Sequence, residues 1–321
     1  MTPPPSVSGI SDESQRDTLT QHSRPRISVV IASVNGAAHL EECLHALECQ
    51  TLKHQAEVIV ADRCGPSVTD LIRTQNLNVK LLSLPPATTI PQLRALGMKH
   101  SQGAIIAVTE DHCLAQSCWY ERILRAHESY SGVIGGAVEN DPSITRTVDW
   151  AVFFCEYGRY MNPVPNGEVA DLPGNNVSYR REFLAHISDL LEGGNSWEGD
   201  LHVRLRDRGV KFYSDPSIIV YHKKEFALGY FLSQRYHYSR SYAGMRTQAA
   251  PFSEKLIRAA LCSILPPILT LRIAGWTFSK KRHIRMLFRA LPLILLFTIV
   301  WAWGEFIGHL FGPGDSLAKV E

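Results

Sequence analysis

The sequence predicts an α/β protein: a mostly parallel sheet flanked by helices, followed by apolar helices at its C-terminal end. Three observations predict it. Four short apolar runs rich in β-branched residues fall between residues 27 and 109, the segments between them carry apolar residues at helical spacing, and two longer apolar stretches follow Arg258. Strands that alternate with helical segments are joined by crossovers, which makes neighbouring strands parallel.

The first run, Ile27-Ser-Val-Val-Ile-Ala32, ends at Ser33 and Asn35 and reads as a buried strand with a turn after it. Leu40, Cys43, Leu44 and Leu47 then fall at i, i+3, i+4 and i+7, one face of a helix expected to end near Gln50. A second strand, Glu57-Val-Ile-Val-Ala61, precedes a helix over 68–75, a strand over 79–84, a helix over 92–100 and a strand over 104–109. A helix over 119–129 and a strand over 132–138 follow, after which the alternation loosens and 171–179 reads as a loop. A polar helix over 198–207 and strands at 210–213 and 218–221 complete a half that reads as substrate-binding structure added to the sheet.

With 45% hydrophobic and 20% charged residues, the chain is neither disordered as a whole nor collagen-like nor a coiled coil. Its formal charge of +2 is uneven. Residues 250–321 hold nine Lys/Arg against four Asp/Glu, a balance of +5, while the remainder holds 24 against 27, a balance of −3. That split argues against nucleic-acid binding by the body and for a tail that meets an anionic surface such as a bilayer. Seven cysteines, an odd number without a CxxC pair, predict a reducing compartment.

Residues 1–25 have no apolar signal-peptide core and are expected to form a disordered tail, ahead of an α/β domain over 26–248 and a membrane-associated helical tail over 249–321. In that last part the stretches 259–271, interrupted by Pro266-Pro267, and 290–304 both stop short of twenty clean apolar residues. If both crossed a bilayer, the basic link Lys280-Lys-Arg-His-Ile-Arg285 would face away from a cytosolic domain. The first stretch is therefore expected to lie in the interface, while the second spans if its flanks through Phe311 are included. A soluble helical subdomain is the alternative.

Parallel sheets take ligands beyond the carboxyl ends of their strands, which directs attention to Ser33 and Asn35, to Asp62, and to Glu110, Asp111 and His112. Two carboxylates and an imidazole leaving one strand together offer oxygen and nitrogen ligands to Mg²⁺ or Mn²⁺; a solvated acidic turn is the plainer reading. Asp62 fits a ribose contact or a turn equally well. Glu198 and Asp200 stand at a helix start, a position that favours carboxylates electrostatically and suits capping as well. Gln234-Arg-Tyr-His-Tyr-Ser-Arg240 fits a diphosphate clamp or a headgroup contact. No GxGxxG, GxxxxGK[ST], GxSxG or HExxH occurs, so the corresponding dehydrogenase, NTPase, hydrolase and zincin classes lack their fingerprints.

Taken in order, these segments resemble family 2 glycosyltransferases of the GT-A fold over residues 26–246. Ile27-Ser-Val-Val-Ile-Ala-Ser-Val-Asn35 is similar to that family's first strand, Glu57-Val-Ile-Val-Ala-Asp62 to its Asp-ended second strand, and Pro91-Gln-Leu-Arg-Ala-Leu-Gly97 to its Ala-Arg-Asn-x-Gly helix. Gly103-Ala-Ile-Ile-Ala-Val-Thr-Glu-Asp-His112 resembles the strand into the Asp-x-Asp metal motif. Gly174-Asn-Asn-Val-Ser-Tyr-Arg-Arg181 resembles the acceptor-side loop, and Trp197-Glu-Gly-Asp-Leu-His-Val-Arg-Leu205 the Glu-Asp motif. His112 stands where the family usually has a carboxylate, and Trp197-Glu198 where it has Glu-Asp.

The resemblance implies an inverting hexosyltransferase of polysaccharide biosynthesis on the cytoplasmic face of a membrane. It would use a nucleotide-diphosphate sugar, a glycan or lipid-linked acceptor, and a divalent metal, Mn²⁺ or Mg²⁺. By the same resemblance Ala32, Ser33, Asn35, Asp62, Arg94, Glu110 and Asp111 bind the donor, and Asp111, His112 and His222 the metal. Asn175, Asn176 and Trp197 lie on the acceptor side, Gln234 and Arg235 clamp the diphosphate, and Glu198 and Asp200 are catalytic. A second class fits the two departures: a catalytically impaired, membrane-attached binding or scaffold protein that keeps the fold.

Overall fold

A computed structural model describes residues 24–75 and 77–320, so the tail expected over residues 1–25 lies outside the described residues as far as residue 23. The chain begins with β1 (Ile27–Ser33), all seven of whose side chains are buried, as an apolar β-branched run in mid-sheet requires. It continues through α1 (Ala37–His54), β2 (Glu57–Asp62), α2 (Pro66–Thr74), β3 (Lys80–Ser83), α3 (Ile90–His100) and β4 (Ile105–Glu110). These strands lie in the order β3-β2-β1-β4, parallel throughout, as the alternation predicts. α1 runs a turn past Gln50 because nothing in Thr51-Leu-Lys-His54 breaks a helix, and it closes on Gln55 in the left-handed conformation at φ 48°.

The second half comprises β5 (Cys113–Ala115), α4 (Trp119–Ser129), β6 (Val133–Asn140), α5 (Thr147–Glu156), β7 (Gly167–Val169), β8 (Val177–Arg180), α6 (Ser188–Gly193), α7 (Glu198–Asp207) and β9 (Phe212–His222). It extends the sheet instead of sitting beside it. β8 pairs antiparallel with β4, and the order continues β8-β6-β9-β5, with β7 on β9. The loop expected over 171–179 ends in strand β8, whose Val177, Ser178 and Tyr179 are buried; the polar Gly174-Asn-Asn176 ahead of it hides the strand signal. The two strands expected at 210–213 and 218–221 are one, β9. It bulges where Asp215 opposes Gly136 and Ile219 opposes Ala137, leaving Pro216 to Ile218 outside the ladder.

Four helices follow: α8 (Leu228–Arg246), α9 (Phe252–Leu261), α10 (Leu265–Ser279) and α11 (Ile284–Phe311). Pro266 and Pro267 start α10 and do not break a helix, because the first turn has no use for their missing N–H groups. The segments 252–279 and 284–311 are 28 residues each, long and apolar enough to cross a membrane and longer than the stretches read from the sequence. Yet α11 lies along the sheet domain. Its Leu287, Ala290, Ile294 and Phe297 share one core with Ile31, Leu40, Trp119 and Phe153. Farther on, a side chain at Gly304 would collide with Ser239 Oγ and the Tyr236 carbonyl, so α11 meets α8 almost backbone to backbone.

The basic link ahead of α11 is docked as well. Lys280 Nζ donates to the Pro163 carbonyl at 2.8 Å, and Arg282 pairs with Glu139 of β6 at 2.6 Å. What α10 and α11 leave outward is an apolar stripe that includes Ile268, Leu271 and Phe278, then Phe288, Leu295, Ile299 and Trp303.

Candidate active site

Strand register assembles the site. Ser33 stands opposite Asp62 and Ala32 opposite Glu110, so the carboxyl ends of β1, β2 and β4 form one edge. α3 reaches this edge because Gly97 lets it rest on Val30, where a Cβ would collide with the valine side chain. One turn earlier on the same face, Arg94 bridges two carboxylates: Nη2 to Glu110 Oε1 at 2.7 Å and Nη1 to Glu198 Oε2 at 2.5 Å. Burial alone would favour loss of the Arg94 proton, but Glu198 and Glu110 outweigh it and hold the guanidinium charged. Glu198 arrives on the first turn of α7, beside Gly174, whose missing side chain leaves room for the carboxylate.

The second oxygen of Glu110 accepts from the Tyr157 hydroxyl at 3.2 Å and faces His112 Nε2 at 3.4 Å. Burial and the neighbouring Glu110 push the Tyr157 phenol well up, so it serves as a proton donor to that carboxylate. Asp111, next in sequence, faces the other way. Its Oδ2 accepts the backbone N–H groups of Val34 and Asn35, both at 2.7 Å, and its Oδ1 accepts Asn35 Nδ2 at 2.6 Å and meets His112 Nδ1 at 2.9 Å. Burial would raise its pKa, yet hydrogen bonds from His112 and Asn35 hold the carboxyl below its usual range. Fully buried and with both oxygens engaged, Asp111 fixes the loop leaving β1 and does not line the cavity described below.

Asp62 is likewise a turn former: Oδ1 accepts the Ser33 hydroxyl at 2.7 Å and the Cys64 N–H at 3.1 Å, and Oδ2 accepts the Gly65 N–H at 2.9 Å. Ser33 is thereby committed to Asp62, and Ala32 packs in a small core with Ala61, Trp197 and Val320. Asn176 also belongs to the framework, donating to the Ala137 and Ile218 carbonyls and accepting from Trp119 Nε1. Asn175 is buried against Cys113, with Nδ2 to Sγ at 3.4 Å. Asp200 is exposed on α7 and does not line the cavity described next.

That cavity, about 300 Å³, is lined by seven of the residues singled out from the sequence: Arg94, Glu110, His112, Trp197, Glu198, Gln234 and Arg235. Glu156, Tyr157, Lys224, Trp301 and Val320 also line it and were not foreseen. Lys224 Nζ donates to Asn35 Oδ1 at 2.5 Å, beside the rings of Phe226 and Tyr230. It was within reach of the strand-end rule, since β9 runs parallel to β6 and leaves the sheet at this edge. Arg235 pairs with Glu156 at 3.1 Å and lies over the Trp301 ring, and Gln234 donates to the Lys319 carbonyl.

Glu110, His112 and Cys113 place a carboxylate oxygen, a ring nitrogen and a sulfur within 4.8 Å of one another. The His222 ring lies 4.8 Å from that of His112, and its buried Nε2 has no hydrogen-bond partner among the described residues. Burial, then the His112 and Lys224 charges, hold this imidazole well below its usual pKa, leaving a neutral ring able to act as a ligand. The Cys113 thiol is pushed well up by burial and Glu110 and stays protonated. The donors that meet are a carboxylate oxygen, an imidazole nitrogen and a sulfur, with the His222 ring beside them, a set that suits a divalent ion of the Mn²⁺ kind better than Mg²⁺.

Residues 28–188, half of the chain, match the sequence family described as Glycosyl transferase family 2. Glycosyltransferase AglE of Haloferax volcanii is 32% identical over 122 residues, 36% of this chain and 40% of that protein, so the match spans two fifths of the relative's length. A crystal structure of S. aureus TarS 1–349 superposes with a TM-score of 0.48 at 14% identity, covering 88% of this chain and 90% of that one.

Proposed function

Because the chain belongs to glycosyltransferase family 2, we propose that it moves a hexosyl unit, with inversion, from a nucleotide-diphosphate sugar to a glycan or lipid-linked acceptor. The observation that carries this reading is the Arg94 bridge, which brings a strand-end carboxylate and the α7 carboxylate into one cavity. Glu110, His112 and His222 would hold the divalent ion, which supplies charge compensation for the departing diphosphate. Lys224 and Arg235 add positive charge to the same wall. Glu198 takes the proton of the acceptor hydroxyl as its oxygen bonds to the anomeric carbon and the bond from that carbon to the diphosphate breaks. Arg94 orients Glu198 through Oε2.

Membrane association on the cytoplasmic face is part of the reading, supported by the outward apolar stripe and by the supply of nucleotide sugars in the cytosol. Glu198→Gln tests the assignment. Nucleotide-diphosphate binding should persist while turnover falls by roughly 10²–10⁴-fold, the usual contribution of a positioned base. Asp200→Asn should change turnover little; a larger effect there would move the base. Donor binding without turnover on every donor and acceptor offered to the unaltered protein would turn the reading to a binding or scaffold role.

A further inference from the structure

A second cavity, about 490 Å³, lies among α8, α9, α10 and α11. Three arginines line it, Arg246 from α8, Arg258 from α9 and Arg272 from α10, against one lining carboxylate, Glu305. That carboxylate is already engaged: Trp301 Nε1 donates to it at 2.5 Å, and His309 Nε2 lies 3.9 Å away. Arg258 shares its charge with Glu254 at 2.7 Å. Arg246 and Arg272 lie over the rings of Tyr242 and Trp276, at 4.9 and 5.0 Å, and Arg246 also donates to the Tyr242 hydroxyl. Cys262, Glu305 and His309 hold donor atoms within 4.8 Å of one another, but three arginines lining the same cavity favour an anion over a cation there.

Two further observations narrow the anion. The cavity shares Trp301 and Tyr238 with the candidate active site, so the two spaces adjoin across these rings. Its apolar wall, Leu265 and Leu269, belongs to the helix whose Ile268 and Leu271 stand exposed in the outward stripe. Planar guanidiniums suit phosphate oxygens, and an exposed apolar stripe suits a hydrocarbon chain.

We propose that this cavity seats the phosphate of a lipid-linked acceptor, with the lipid chain along α10 and the acceptor hydroxyl directed past Trp301 toward Glu198. The proposal rests on the glycosyl-transfer reading for its acceptor role, but not for the binding itself. Flotation of the full chain at raised salt tests the binding, on phosphatidylcholine vesicles alone or doped with a sugar-bearing polyprenyl diphosphate, an uncharged polyprenol or phosphatidylglycerol. Retention should follow the sugar-bearing polyprenyl diphosphate and fall at least about tenfold, about 1.4 kcal/mol, in the double variant Arg246→Gln, Arg272→Gln.

Nucleotide-diphosphate binding, measured on the same variant, should be unchanged. Equal retention by phosphatidylglycerol, or by the double variant, would overturn the site and leave only surface attachment. Arginine-dependent binding of inorganic phosphate, read by calorimetry without any preference for doped vesicles, would overturn the lipid assignment. If the arginines govern vesicle binding while no donor is turned over, the phosphate site stands and the transfer reading fails; turnover with unselective flotation gives the reverse.

Discussion

Glu110 and Asp111 are adjacent carboxylates with opposite duties, and the difference is made by their hydrogen-bond donors. Asp111 accepts four, two of them from the backbone of the loop leaving β1. Asp111→Ala therefore leaves buried N–H groups unpaired and should cost about 3–5 kcal/mol, read as a large fall in Tm. Glu110→Gln should lower the Tm less, because Arg94 keeps Glu198 as a partner, while weakening Mn²⁺-dependent nucleotide binding, read by titration. Equal loss of stability in both variants, with nucleotide binding unchanged in Glu110→Gln, would place Glu110 in the framework too. The tripeptide was legible as a chemical site, but which carboxylate faces outward was not, because the donors that claim Asp111 lie 76 and 77 residues away in the chain. Lys224 is legible by the same strand-end rule, two residues beyond His222, which the rule already marks.

Among elements, α4 and α7 were readable to the residue because their apolar or acidic patterns are complete within one helix. β8 was not: its four residues are held by neighbours and not by their own alternation, and one of those neighbours is α4. His127 of α4 places Nε2 2.9 Å from Ser178 Oγ of β8. Burial, helped by Arg180, holds this imidazole down at about 3. An unfolded histidine titrates near 6.5, so the stability His127 contributes is complete above that pH and is lost as the pH falls toward 3. The linkage amounts to about 2 kcal/mol lost between pH 7 and pH 5. Urea unfolding of His127→Gln should show a pH dependence flatter by about that amount than the parent's, and parallel curves would mean that the imidazole charges in place.

For the whole molecule, length alone misleads about α11. Twenty-eight residues at 1.5 Å each give about 42 Å, enough for a bilayer core of about 30 Å. Both ends of the helix nonetheless stay on the sheet domain. At its start the His283 ring lies tilted against Trp150, centroids 4.5 Å apart, and Arg282 pairs with Glu139; at its end Gly304 and Gly308 meet α8, and beyond it Arg63 donates to the Val320 carbonyl at 3.2 Å. A helix anchored so cannot carry its C-terminal end to the opposite side without giving up the core it shares with β1. The stripe through Leu295, Ile299 and Trp303 is therefore expected to enter only the near leaflet, and the +5 charge of the tail contributes less than its sum implies because Lys280 and Arg282 are spent on the domain. Single cysteines at Lys281 and at Asp315, in a background with the exposed Cys49 and Cys118 changed to Ser, report the topology. A membrane-impermeant maleimide should label both positions from the same side of sealed vesicles; labelling from opposite sides would show that α11 crosses.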